Sequence, residues 1–175
     1  MSALRLINET TISSTVTEVD VDNIFSADFD IYKIVIDGVQ ESATGQEQWL
    51  RLRFLDSSGT VDTSSNYDYA HLRMISNSGY GTENNTNQNN ILYAGLGYTD
   101  DDGTNAVAYI FNPYSSSSYT FMMAQGIFWN SGRMQSVKGI AVHTSAETIR
   151  GIKLYQSSGN MGSGIIRVYG LRVDS

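Results

Sequence analysis

Few residues in this chain have the types and spacing that chemistry requires. The densest set of oxygen ligands lies in Thr99–Asn105, with Asp100, Asp101, Asp102 and Asn105 close together. Carboxylate and amide oxygens at that density suit Ca²⁺, a hard cation that takes oxygen ligands only. The longer frame of a helix–loop–helix calcium site and its bidentate Glu are absent, and Asp102-Gly103 is a favoured reversal dipeptide. The stretch therefore reads as a hairpin turn first and a calcium loop second. The two histidines, His71 and His143, stand far apart, and the chain has no cysteine, so thiolate metal sites and thiol catalysis are excluded. A lone histidine such as His71 is more often a hydrogen-bonded structural residue than a base. Serine is abundant, yet no G-x-S-x-G elbow presents a nucleophile. Glu47, Glu83 and Glu147 lie beside turns, where solvated acids are expected, and no two of them are marked as a glycosidase pair. No glycine-rich phosphate loop or dinucleotide fingerprint is present. The chain reads as non-enzymatic, with no catalytic residue, metal or cofactor.

Contact chemistry is better represented. Trp49, Arg51 and Arg53 follow one another at alternate positions of one segment, and Trp and Arg are enriched at the anchors of protein interfaces. They are the expected partner-contact residues. Ser76–Asn90, SNSGYGTENNTNQNN, lacks apolar periodicity and reads as a long exposed loop with Tyr80 near its middle. Tyr80, Asn84, Asn85 and, in the next exposed connection, Tyr114 are the expected glycan contacts. Sugar rings stack on aromatics, and their hydroxyls pair with amides.

Composition limits the partners. The formal charge is −7, which disfavours a phosphate backbone as ligand because Lys and Arg carry that affinity. Charged residues make up 17% and hydrophobic residues 41% of the 175, which is too apolar for disorder and sufficient for one domain with a real core. No run is long enough for a transmembrane helix, and MSALRLINET lacks the apolar stretch of a signal peptide.

The elements that must position these residues are strands. Ala3–Ile7 reads as an edge strand or arm within residues 1–12, and residues 13–175 as one domain. Ser13–Asp20 reads as a half-solvated strand, and Val21–Asp28 as a loop plugging the end of a sandwich. Ile31–Ile36 is a central strand. In Tyr67–Ile75 the apolar pairs Tyr67/Tyr69 and Leu72/Met74 have opposite parity, which predicts a bulge near Ala70–His71. Ile91–Tyr98 and Ala106–Phe111 read as a hairpin about Asp102-Gly103. Tyr119–Trp129 is expected to fill the core with Phe121, Met122, Met123, Ile127, Phe128 and Trp129, and Gly126 to mark a bulge or a close approach. Met134–His143 is a further strand. Ile149–Tyr155 and Ile165–Val173 are either a closing hairpin or two strands in different sheets. About ten short strands without a credible helix predict an all-β antiparallel sandwich or jelly roll.

Three blocks carry a resemblance. FDIYKIVI (Phe29–Ile36), WLRLRFLDSSG (Trp49–Gly59) and GIKLYQSSGNMGSGIIRVYGL (Gly151–Leu171) resemble, in this order, segments of bacteriophage virion structural proteins of the jelly-roll type. The resemblance implies a capsid decoration or cement protein, or a small tail or fibre component, assembled in the host cytoplasm and resident in the virion. It implies other virion proteins as partners and a homo-oligomer, with a trimer expected. A host-surface glycan, read at a fibre tip, is the alternative ligand.

Overall fold

A computed structural model describes residues 4–42, 48–96, 103–130 and 132–171. Twelve strands and no helix are found among them: β1 Leu4–Ile12, β2 Glu18–Val21, β3 Ile31–Glu41, β4 Gln48–Asp56, β5 Tyr67–Ile75, β6 Gly79–Gln88, β7 Ile91–Leu96, β8 Thr104–Phe111, β9 Thr120–Asn130, β10 Arg133–His143, β11 Ile149–Gln156 and β12 Met161–Leu171. One sheet has eight strands in the order β1-β12-β3-β8-β9-β10-β5-β6, and the other has four, β2-β11-β4-β7. Every pairing is antiparallel. The nested pairs β1/β12, β2/β11, β3/β8 and β4/β7 are those of one long hairpin rolled into two sheets, which is a jelly roll. Two hairpins are inserted into that roll. β5–β6 interrupts the path from β4 to β7, and β9–β10 the path from β8 to β11. Both extend the larger sheet beyond β8.

Alternation builds the core. Tyr32, Ile34 and Ile36 of β3 and Ile166 and Val168 of β12 face Leu50, Leu52 and Phe54 of β4 and Ile152 and Leu154 of β11, all buried. Residues 22–29 plug one end without helix. Asn23 takes a positive φ of 54°, which turns Ile24 and Phe25 inward. The amides of both donate to the Arg150 carbonyl, at 2.9 and 3.2 Å. The Tyr32 hydroxyl fixes the plug by accepting from the Ser26 amide at 2.8 Å and donating to the Ser26 carbonyl at 3.0 Å.

Five expectations are corrected here. Ser76–Asn90 is not a loop: β6 runs through it as an edge strand bonded to β5, its polarity reflecting an edge exposed on both sides. β7 and β8 are not a hairpin, since they lie in different sheets. β5 pairs with β10 in unbroken register from Ile75 to Tyr67, so no bulge lies at Ala70–His71. Gly126 likewise sits in regular register, opposite Ala106 and Val137, so the bulge, one of its two expected roles, is absent. The strand expected over Ser13–Asp20 shrinks to Glu18–Val21, with Val16 making a single bridge to Met161. The segment of residues 1–12 contributes an edge strand, β1, and the closing strands β11 and β12 separate into the two sheets.

Glu41, at the end of β3, is only 7% exposed, and its Oε2 has no hydrogen-bond partner among the described residues. Burial holds its carboxyl above the usual value. A raised carboxyl favours the fold while protonated, so this group subtracts stability as pH rises out of the carboxylate range. Glu41→Gln is expected to raise stability at pH 7 by about 1 kcal/mol, the scale of an unsatisfied polar group. Below the carboxylate range the two proteins should coincide in urea titrations.

Candidate functional site

The outer face of the eight-stranded sheet is the most unusual surface of the molecule. β9 alternates strictly: Thr120, Met122, Ala124, Gly126 and Phe128 are buried, while Phe121, Met123, Gln125, Ile127 and Trp129 are exposed. The heavier apolar set points outward. Phe121 is 49% and Trp129 47% exposed, so the expected aromatic filling of the core is corrected to Met122 and Phe128 alone. Neighbouring strands share this inversion. The cross-strand row Tyr109–Met123–Ile140–Ala70 lies on the outside, where Ile140 reaches 62% exposure. A parallel row runs Phe111–Phe121–Val142–Asp68. The opposite parities of Tyr67/Tyr69 and Leu72/Met74 now have a cause. Tyr67 belongs to the core, whereas Leu72 and Met74 belong to this second apolar face.

The face is hollowed. A trough of about 1030 Å³ is bounded by β3 at Val35–Asp37 and by β6 at Thr82–Asn84, and its floor is β8, β9, β10 and β5. A second hollow of about 550 Å³ continues it toward Phe111 and Phe121. Five strand spacings separate the two walls, about 24 Å along the sheet. On the β3 side the apolar surface gives way to charge, where Arg167 bridges Glu9 at 2.6 Å and Asp37 at 3.0 Å. Leu72, Tyr109, Phe121, Met123, Ile127, Trp129, Met134 and Ile140 are each more than a third exposed. Together they present on the order of 800 Å², above the usual largest patch of a monomer and close to one side of a standard protein interface. Lys138, exposed on the floor between Gln125 and Leu72, has no ion-pair partner among the described residues.

Titratable groups gather elsewhere. Asp62, His143 and Glu147 bring their ligand atoms within 4.8 Å of one another. His143 Nε2 lies 2.7 Å from Asp62 Oδ2 and 3.7 Å from Glu147 Oε1. Two ligands of a tetrahedral zinc ion stand about 3.3 Å apart. At 2.7 Å the contact is a hydrogen bond, and an ionised carboxylate only accepts, so Nε2 donates. The imidazole is fully buried against the rings of Tyr67 and Phe54, at 4.8 and 5.5 Å. Burial pushes the Asp62 carboxyl up. The hydrogen bonds from His143 and Ser64 outweigh that and hold it below its usual value. The pair clamps the β4–β5 connection to β10. Sequence separation hid this pair: the partners are 81 residues apart, and no local motif marks them.

The sequence-predicted site residues fall in several places. Trp49, Arg51 and Arg53 share one face of β4, but Trp49 and Arg53 are engaged internally. Trp49 packs on Phe128 and His71, and Arg53 lies over the Tyr155 ring at 4.8 Å and donates to the Asn89 carbonyl at 2.8 Å. Tyr80 and Asn84 lie on β6 along one side of the trough, and Asn85 donates to the Tyr69 hydroxyl at 3.1 Å. Tyr114 follows β8, at the opposite end of the sheet. The structure therefore does not unite Tyr80 and Tyr114. His71 is buried between Trp49 and Tyr69, and burial lowers its pKa. Asn105 accepts from the Gly38 amide at 3.1 Å, while Asp100, Asp101 and Asp102, like Glu47, lie outside the described residues. Glu83 accepts weakly from Tyr69 and Asn85, at 3.4 and 3.3 Å.

Fold and face together define an all-β jelly-roll sandwich with two inserted hairpins and an apolar, hollowed outer sheet. No family model matches the chain, nor does any curated protein or solved structure. No helix among the described residues is long and apolar enough to cross a membrane.

Proposed function

We propose that this chain is a non-enzymatic structural module that assembles through the outer face of its eight-stranded sheet. The observation that carries the reading is the inversion in β9, which turns Phe121, Met123, Ile127 and Trp129 outward and leaves only Met122 and Phe128 as large apolar side chains inward. Burying that face would stabilise a complex, since apolar area removed from water contributes about 25 cal/mol per Å² before association costs. Resemblance in the three sequence blocks supports a phage particle as the setting, with a decoration, cement, tail or fibre role. A glycan site is less well supported. A sugar needs several polar partners beside an aromatic, and the trough floor is mostly apolar.

Purified particles test the setting. Mass spectrometry should find the chain in them, and antibody labelling in electron microscopy should place it on the head or the tail. Absence from particles would overturn the virion role. Ile140→Asp should leave the fold intact, because the side chain is largely exposed, and should reduce occupancy in particles at least tenfold. Burying one unpaired carboxylate in an interface costs more than the 1.4 kcal/mol that a tenfold change represents. Unchanged occupancy would exclude this face as the assembly surface.

A further inference from the structure

Far from the outer face, the end of the sandwich opposite the plug holds buried polar groups without partners. Glu41 closes β3 in the larger sheet, and Gln156 closes β11 in the smaller one. Each continues the buried parity of its strand, Glu41 after Val39 and Gln156 after Leu154, so both side chains face between the sheets. Glu41 is 7% and Gln156 5% exposed. Glu41 Oε2 and both amide atoms of Gln156 make no hydrogen bond among the described residues. Burial alone acts on the Glu41 carboxyl, with no cationic side chain among the described residues to offset it.

The two groups meet beneath the β11–β12 turn. A Cβ on Gly159 would lie 2.9 Å from Glu41 Oε1 and 3.3 Å from Gln156 Oε1. Gly159 is exposed, takes a φ of 78° and has no side chain to cover these oxygens, which leaves a way in from solvent. The turn around it is fixed. The hydroxyls of Ser157 and Ser158 donate to Gln48 Oε1 at 2.8 and 2.6 Å, and the Ser157 amide donates to the Trp49 carbonyl at 3.0 Å. The Ser42 amide, next to Glu41, donates to the Asn160 carbonyl at 2.7 Å.

A carboxylate oxygen and an amide oxygen are both acceptors, so they cannot bond each other. A water molecule can donate to both, but it leaves the negative charge buried and unpaired, which is costly. A cation meets both needs. Ca²⁺ takes carboxylate and amide oxygens at about 2.3–2.6 Å and completes its shell with water, so small side-chain rotations bring both oxygens onto one ion. Mg²⁺ fits less well, because it demands a near-octahedral shell and gives up its waters reluctantly.

We infer that Glu41 and Gln156 form a Ca²⁺ site that ties the two sheets together at this end of the sandwich. Glu41 supplies the charge, and Gln156 Oε1 a neutral oxygen. The site is independent of the assembly face. With a single carboxylate its dissociation constant should be on the order of 1 mM, in the weak range for Ca²⁺ sites.

Thermal unfolding of the full chain tests it, in a chelator and in CaCl₂ at matched ionic strength. At about 10 mM CaCl₂ the wild-type midpoint should rise by about 3–5 °C, and by less in MgCl₂. The rise should vanish in Glu41→Gln and shrink in Gln156→Leu. In the chelator both variants should unfold at or above the wild-type midpoint, because each removes buried polar atoms that make no bond. A lost response then cannot be mistaken for a damaged fold. No rise in the wild type would overturn the site. A rise retained in Glu41→Gln would place the ion elsewhere on this acidic chain and overturn it equally, and a full rise in Gln156→Leu would remove Gln156 from it. Destabilisation of Gln156→Leu in the chelator would show the amide bonded directly to the carboxyl, against the inference. An equal rise in MgCl₂ would overturn the choice of Ca²⁺.

Discussion

Replacing His143 by alanine is expected to lower the stability of the fold by about 3–5 kcal/mol, the combined scale of emptying a fully buried ring site and removing a hydrogen bond to a carboxylate. The residue is fully buried, and its ring packs against Tyr67 and Phe54. Its loss would leave a cavity between two fully buried aromatics and strip Asp62 of its 2.7 Å hydrogen bond. The damage should spread along the clamp. The Tyr67 hydroxyl donates to the Asp62 carbonyl at 3.0 Å and accepts from the Phe54 amide at 3.1 Å, so the β4–β5 connection would loosen as a unit. Asp62→Asn keeps an acceptor oxygen at the same place and should cost about 1 kcal/mol, the scale of a net hydrogen-bond difference. The pH dependence identifies the pair. The Asp62 carboxyl is held low in the fold, so its contribution is present above the unfolded carboxylate value and is lost as pH falls through the folded value. Wild type and Asp62→Asn should therefore differ most at neutral pH and converge in acid. Urea titrations at pH 3 and pH 7 measure both effects, and a His143→Ala loss below about 1 kcal/mol would show that the clamp carries little energy.

Much of this architecture is legible in the sequence, because period-two alternation is a local property. β3, β4 and β12 announce themselves by apolar residues at every second position, and the plug at residues 22–29 by having no helical period beyond Phe25. What local pattern cannot give is partnership. Asp102-Gly103 looks like a hairpin turn from its dipeptide, yet the strands on either side join different sheets. Their pairing is decided by the nested order of the roll. β6 escapes notice for a different reason. An edge strand with both faces in water needs no apolar residue, so Gly79–Gln88 has the composition of a loop and the hydrogen bonds of a strand. The outer face was present in the letters of Tyr119–Trp129, where both parities are apolar. A strand buried on one side needs only one. Reading Phe121, Met123, Ile127 and Trp129 as a second face, rather than as surplus core, is the step that finds the candidate site. His143 gives no such signal, since its partner comes from a distant loop.

Gly151→Val is expected to cost about 3 kcal/mol, the upper end for overpacking a filled interior. The reason lies in what a side chain at this position would strike. A Cβ on Gly151 would fall 2.6 Å from the Val21 carbonyl oxygen and 2.9 Å from the Asp22 Cα, both main-chain atoms. Those atoms cannot rotate aside. Val21 is held in β2 opposite Ile152, and Asp22 is tied to Arg150 by two hydrogen bonds of 2.7 and 2.6 Å. Relief would have to come by moving β2 from β11. That movement would also break the bonds from Ile24 and Phe25 to the Arg150 carbonyl and withdraw the plug from the end of the core. Gly170 is the instructive contrast. A Cβ there would meet the Phe29 ring at 2.6 Å, an equally short approach, but to a single side chain and not to the main chain of a neighbouring strand. Gly170→Ala should therefore cost less, about 1–2 kcal/mol. Thermal unfolding of the two variants side by side measures the difference. Equal losses would mean that β2 and the plug yield as readily as a single ring, and that the Asp22–Arg150 pair does not fix their position.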